Sequence, residues 1–238
     1  MQQLVGYHRP RTVGEAVELL SAPNTMALAG GTTVRHDAGA EPVDLVDLQS
    51  LGLGLIEVTG DVIELGATAT LQDVVDAERA PELIRRCARA ELPSTLRTLA
   101  TIGGTIGAGD RESLLLAALL VHDAFVRFAD GRSIPLAEVL DADVAPGSLI
   151  VAIIARTGGS TAFAATGRTP ADTPIVAAVA RSAGAETRVA LTGVATTPVL
   201  VEPDAIDSIE PPADFRGSSD YRHHLARVLS ERALEELR

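Results

Sequence analysis

The sequence predicts an α+β fold in two unequal units, and three observations carry that expectation. Apolar residues make up 46% of the chain but aromatic ones only 3%, so small aliphatic side chains must build closely packed layers of helix and sheet. Short strand-like runs alternate with helices whose capping residues are legible. The character of the chain then changes at Thr157-Gly158-Gly159-Ser160. That linker or turn divides a first unit, residues 1–157, from a second, residues 160–238, and the first is expected to fall into parts of about 1–52 and 53–157.

A chain of 238 residues can bury a sizeable core. Its net charge of −12 argues against nucleic acid, whose binding depends on clustered Lys and Arg. No apolar run reaches the roughly 18–20 residues a membrane span needs. The stretch Met1-Gln2-Gln3-Leu4 lacks a basic region ahead of an apolar core, so no signal peptide is expected and the location expected is cytoplasmic. Cys87 is the only cysteine, which excludes an internal disulfide and any all-cysteine zinc or iron–sulfur site within the chain. Its helical spacing from Leu83 and Ile84 suits a buried thiol. No catalytic side chain and no metal ligand is expected; His36, between Arg35 and Asp37, suits a solvated or hydrogen-bonded residue.

Taken in order, residues 3–8 suit a short strand closed by Pro10. Thr12 with Glu15 forms a capping box for a helix that places Val13, Ala16, Val17 and Leu20 on one face. Met26-Ala27-Leu28 is a short strand, as is 43–48. Runs 56–58 and 62–65 flank Gly60-Asp61 as a hairpin. Helices are expected from Leu71, from Pro81 to about Ala90, and briefly to Arg97. Asp110 or Ser113 caps the helix Leu114–Val121. Phe125, Val126 and Phe128 turn at Asp130-Gly131 into a returning strand, and 149–154 reads as a strand covered on both faces. In the second unit, 161–165 reads as a strand, 173–182 as an apolar helix with Pro174 in its first turn, and 188–193 as a half-buried strand. A last helix, about 218–237, is expected to turn Tyr221, Leu225, Val228 and Leu229 inward.

Two glycine-bearing segments stand apart from this punctuation. Leu28-Ala29-Gly30-Gly31-Thr32-Thr33 follows a strand. The stretch Leu99 to Asp110 contains Thr101-Ile102-Gly103-Gly104-Thr105-Ile106-Gly107 and Gly109, with Asp110 and Arg111 after it. Glycines leave main-chain N–H groups uncovered and permit positive φ, and consecutive N–H groups can form a nest for a diphosphate. Either segment alone reads equally as a tight turn, since neither has GxGxxG spacing or a P-loop lysine. Together they read as two halves of one cofactor cradle.

With both segments in hand, the chain resembles the flavin subunits of the molybdenum hydroxylases, the medium subunits of xanthine dehydrogenase and carbon monoxide dehydrogenase type enzymes. Ala29-Gly30-Gly31-Thr32 and Thr101-Ile102-Gly103-Gly104 resemble that family's paired motifs. Tyr7-His8-Arg9-Pro10, Asp44 to Leu48, Leu65 to Thr70, Arg97, Ala190 to Ala195 and Phe215 to Arg222 resemble its other segments, in the same order. The resemblance implies an FAD-binding domain of the vanillyl-alcohol oxidase (PCMH) type followed by a small α+β domain, with FAD along Leu28 to Thr33 and along Thr101, Ile102, Gly103, Gly104, Thr105, Gly107, Asp110 and Arg111. It also implies an iron–sulfur subunit and a large molybdopterin subunit as partners in a heterocomplex, with electrons leaving the flavin to NAD⁺, oxygen or another acceptor. Flavin chemistry of this kind needs no side-chain nucleophile, because the cofactor carries it.

The chain departs from the family pattern at three positions. Thr105 stands where the family has Asn, Arg111 where it has Pro, and Leu114 where it has an Asp that helps hold the cofactor. Asp110 or Glu112 can replace that carboxylate, and Arg111 can supply a counter-charge to the diphosphate. The segment between Arg132 and Leu149 is also shorter. Two other readings stay open at this point: a paralogue acting as a structural or assembly subunit without FAD, and a free-standing flavin oxidoreductase or nucleotide-binding module of the same fold.

Overall fold

The structure is a computed structural model and describes residues 4–33, 42–142, 147–167 and 172–238. Arg35, His36 and Asp37 therefore lie outside the described residues. The chain opens with β1 (Leu4–His8), α1 (Val13–Leu20), β2 (Thr25–Leu28) and β3 (Val43–Asp47). β3 lies between β1 and β2 and pairs parallel with both. At the start of α1, Thr12 Oγ1 accepts the Glu15 N–H at 3.2 Å, while the Glu15 carboxylate accepts from Arg11 rather than Thr12. Ala16 and Leu20 are buried against Val46, Leu48 and Leu149, so the predicted face is the one that docks.

The middle of the chain supplies β4 (Ile56–Thr59), β5 (Val62–Gly66), α2 (Leu71–Asp76), α3 (Glu82–Glu91), α4 (Ser94–Arg97), α5 (Ile102–Ala108), α6 (Leu114–Val121), β6 (Phe125–Phe128), β7 (Ser133–Pro135), α7 (Leu136–Asp141) and β8 (Ile150–Arg156). Its strands form an antiparallel sheet in the order β4-β5-β8-β6-β7. Thr70 and Asp73 form a full capping box on α2. Ser113, not Asp110, caps α6 by accepting the Leu116 N–H; Asp110 accepts from the Glu112 N–H instead. All eight residues of α6 are buried.

The remainder forms β9 (Ser160–Ala165), β10 (Ala177–Ala183), β11 (Glu186–Thr192), β12 (Val199–Val201) and α8 (Ser219–Glu236). The strands make an antiparallel sheet ordered β12-β11-β10-β9, with α8 packed on one face and α6 on the other. The helix expected at 173–182 is thus a strand. Ala177 and Val179 face α6 while Ala178 and Ala180 face α8. A strand covered on both sides reads as a continuous apolar run, and a run of small aliphatics shows no period to separate strand from helix.

In α8, Leu225 and Leu229 are buried as expected and Val228 is half-buried, but Tyr221 is 44% exposed and Arg222 is sealed in its place. Arg222 can be buried because its guanidinium is met on several sides: Nη1 donates to the carbonyls of Ile175 and Gly193, and Nη2 to the Asp214 carboxylate. Cys87 is buried too, and burial pushes its thiol up, away from reactivity. Among the described residues no helix is long and apolar enough to cross a membrane.

Candidate functional site

The two glycine-bearing segments meet. A β-carbon built on Gly30 would stand 1.8 Å from the carbonyl oxygen of Leu99 and 3.1 Å from the amide nitrogen of Ala100. Only glycine permits that approach. Beside the joint opens a cavity of about 1170 Å³, walled by residues 26–33 on one side and by α5 and the turn after it on the other. Its size is at the large end of small-molecule sites, as a dinucleotide requires.

The stretch from Leu99 to Asp110 is a helix for most of its length, although its glycines suggested a loop. Each glycine inside a helix costs up to about 1 kcal/mol relative to alanine. Thr101 offsets part of this by capping the Gly104 N–H, and Gly103 packs so closely on Ala67 that an added β-carbon would lie 2.9 Å from the Ala67 carbonyl oxygen. The helix turns one flank to the cavity. Thr101, Gly103, Gly104 and Gly107 line it, together with Ile106 and Ala108. Ile102 and Thr105 do not border it: Ile102 is fully buried in the core, and the Thr105 hydroxyl donates back to the Thr101 carbonyl at 3.0 Å.

Hydrogen bonding separates the roles of the two segments. In the second, the N–H groups of Ile102, Gly103, Gly104 and Thr105 already donate to Ala69, Ala67, the Thr101 hydroxyl and the Thr101 carbonyl. In the first, the N–H groups of residues 29–33 find no acceptor among the described residues, and Gly31 holds a φ of +68°. Among the described residues, the main-chain amides left open to an anion are therefore those of Ala29–Thr33, while α5 supplies a close-approach wall. Leu28, Ala29, Gly30, Gly31, Thr32 and Thr33 all line the cavity, as do Asp110 and Arg111.

Several lining residues carried no local sign of the site. Val139, Leu140, Leu149 and Ile150 close the cavity on its apolar side, and Thr196 reaches it from the C-terminal unit. The segment 109–112 is clamped by that unit. Thr197 packs near Gly109, the Gly193 N–H donates to the Arg111 carbonyl at 2.8 Å, Arg111 pairs with Asp214, and Glu112 pairs with Arg216. Asp214 is held down to about 2, first by its hydrogen bonds from Arg222. Leu114 is core, 3% exposed. No carboxylate enters from that position, and Asp110 is the acidic residue on the wall among the described residues.

The sequence family described as FAD binding domain in molybdopterin dehydrogenase matches residues 2–155. The chain belongs to this family. A protein of Escherichia coli K12 named Uncharacterized protein YgfM is 28% identical over 241 residues, covering 94% of this chain and 92% of its own length. The carbon monoxide dehydrogenase medium chain of Afipia carboxidovorans is 26% identical over 275 residues, covering 96% of this chain and 95% of its own. A chain of a Cu,Mo-CO dehydrogenase in its cyanide-inactivated form superposes with a TM-score of 0.87 at 25% identity, over 100% of this chain and 98% of that one.

This flavin subunit of the molybdenum hydroxylase family is an oxidoreductase component whose cofactor is FAD. The cavity fits that group on its own evidence: amides beside a strand end that find no acceptor among the described residues, glycines bordering the space, and an apolar wall.

Proposed function

We propose that this subunit carries electrons between the iron–sulfur clusters of a partner subunit and an external acceptor such as NAD⁺ or oxygen, in a complex whose molybdopterin subunit oxidises the substrate. The observation that supports it most is the joint between Gly30 and Leu99, which sets amides with no acceptor among the described residues and a glycine-bearing wall around one cavity. FAD, when bound, supplies the exchange between single-electron carriers and a two-electron acceptor. The chain's own residues bind and orient. The amides of Ala29–Thr33 hold the diphosphate, and the hydroxyls of Thr32, Thr33 and Thr101 add hydrogen bonds. Gly103, Gly104 and Gly107 leave room for the cofactor's approach, Asp110 accepts from a ribose hydroxyl, and Ile106, Val139 and Leu149 exclude water. Relatives named as carbon monoxide dehydrogenase subunits, matched over nearly their full length, support the partners.

One observation favours a second reading, a structural or assembly subunit that binds flavin weakly or not at all: the position of Leu114 is given to the core. The purified protein separates the two. An absorption spectrum with flavin bands, FAD released on heating and an iron–sulfur subunit that co-purifies support the first reading. A colourless protein that takes up no FAD on reconstitution overturns it. Recovery of flavin absorbance after reduction, tried with NAD⁺ and with oxygen separately, identifies the acceptor.

A further inference from the structure

We infer that Asp214, in the C-terminal unit, is a positioning residue for the cofactor: it holds Arg111 at the cavity wall, where the guanidinium meets the FAD diphosphate. The inference rests on the flavin reading of the cavity and adds a charge and a holder to it. Among the described residues Arg111 is the only cationic residue lining the cavity. Guanidinium matches phosphate oxygens in a planar fork, so where it is held matters as much as its charge.

Arg111 is fixed at both ends. Its main-chain carbonyl accepts the Gly193 N–H at 2.8 Å, and its Nη2 donates to Asp214 Oδ2. Asp214 is itself fixed. Arg222 Nη2 reaches both carboxylate oxygens at 2.8 Å, and the N–H groups of Arg216 and Gly217 donate to Oδ1 at 2.8 and 3.2 Å. Two guanidinium groups and one carboxylate leave an excess positive charge. Arg222 is fully buried and spends Nη1 on two carbonyls, so the excess presents at Arg111, whose side chain is 27% exposed. The neighbouring Arg216–Glu112 pair is neutral as a unit, and Asp110 turns Oδ1 to the Glu112 N–H at 2.9 Å.

Charge and position make opposite demands on one variant. Asp214→Asn removes a negative charge near an anionic ligand, so charge alone would tighten FAD binding, whereas loss of positioning weakens it. The experiment measures the FAD dissociation constant of the full chain by flavin fluorescence across a series of salt concentrations, for wild type, Arg111→Gln, Asp214→Asn and Asp214→Glu. The expected result is a dissociation constant about tenfold higher or more in Arg111→Gln and in Asp214→Asn, the effect of losing one charge-assisted hydrogen bond. The salt dependence flattens in Arg111→Gln, because the screened cation is gone, and Asp214→Glu recovers part of the affinity. A purely structural contribution would lower affinity and leave the salt dependence parallel to wild type, which overturns the proposal, as does Asp214→Asn binding FAD as tightly as wild type or more so. Arg111→Gln leaves the Arg222–Asp214 pair intact and decides the matter where Asp214→Asn does not fold: unchanged affinity there also overturns it. Wild type that takes up no FAD at all removes the flavin reading itself, a distinct result from tight wild-type binding with unaffected variants.

Discussion

The carbonyl oxygen of Leu99 stands 1.8 Å from the point a β-carbon on Gly30 would occupy. Two segments far apart in sequence are therefore one joint, and Gly30 at that joint lines the cavity. Gly30→Ala must push the segments apart. A loss of about 1–3 kcal/mol in stability is expected, as for overpacking elsewhere, together with reduced FAD content. Gly107 is the contrast: it borders the cavity, and an added β-carbon meets nothing within 4 Å. Gly107→Ala should leave the fold intact or raise its stability by up to about 1 kcal/mol, while Gly107→Val releases FAD from a folded protein. Urea unfolding and flavin-to-protein ratio check both; equal destabilisation at the two positions would remove the distinction.

Gly31 and Gly104 test the cradle itself. Gly31 sits at φ +68°, where a branched side chain costs roughly 1–2 kcal/mol. A β-carbon on Gly104 would lie 3.1 Å from the Thr101 hydroxyl that caps it. Gly31→Val and Gly104→Val should each lose FAD while far-UV circular dichroism stays close to wild type. Full flavin occupancy in both variants would refute the cradle.

Glu91 and His122 predict a cancelled pH dependence. The Glu91 carboxylate accepts the Leu115 N–H at 3.0 Å, and burial pushes its pKa up to about 7. His122 is fully buried, donates from Nδ1 to the Arg156 carbonyl at 2.7 Å, and burial lowers its pKa to about 4. Between about pH 4.5 and 6.5 the folded chain keeps a proton on Glu91 that the unfolded chain has released, so this group's contribution falls as pH rises. Over the same window the unfolded chain binds a proton on His122 that the folded chain lacks, so that contribution rises with pH. The two oppose, and wild-type stability should be nearly level there. Glu91→Gln leaves His122 alone, and stability should then climb with pH by no more than ~1.4 kcal/mol per unit. Chemical denaturation at half-unit steps measures the slope; a falling slope in Glu91→Gln contradicts the assignment.

Thr70 caps α2 through Asp73 and also bridges to Thr101 at the start of α5. Thr70→Ala should lose about 1 kcal/mol, as for other N-caps, read as a lower denaturation midpoint with an unchanged denaturant slope. Loss of FAD at wild-type stability would instead place Thr70 at the cofactor.

What the sequence made legible was local. The caps at Thr12 and Ser113, the helix start at Leu71, the turn at Gly60-Asp61 and the strand expected at 149–154 all follow from contacts within a few residues, and the structure keeps them, the strand as 150–156. The strand at 177–183 was hidden because both of its faces are buried and its residues are small. The helix at 102–108 was hidden because what offsets its glycines is distant: the wall of Ala67 lies on another segment. The glycines located the cavity, but the residues that close it, Val139, Leu149 and Thr196, are brought in by pairing of strands and units. Arg111 was legible as a charge; Asp214, which holds it from 103 residues further along the chain, was not.

The wholly buried α6 has a practical consequence. One of its flanks leans on α3 and another on the sheet of β10, β11 and β12, so Leu115 and Leu119 share a single interior with Ala177, Val179 and Ala190. Cutting the gene after residue 158 would strip that helix of its outer cover and leave a greasy rod facing water. The flavin lobe is not a cassette to be transplanted alone; whoever borrows it must take the tail as well.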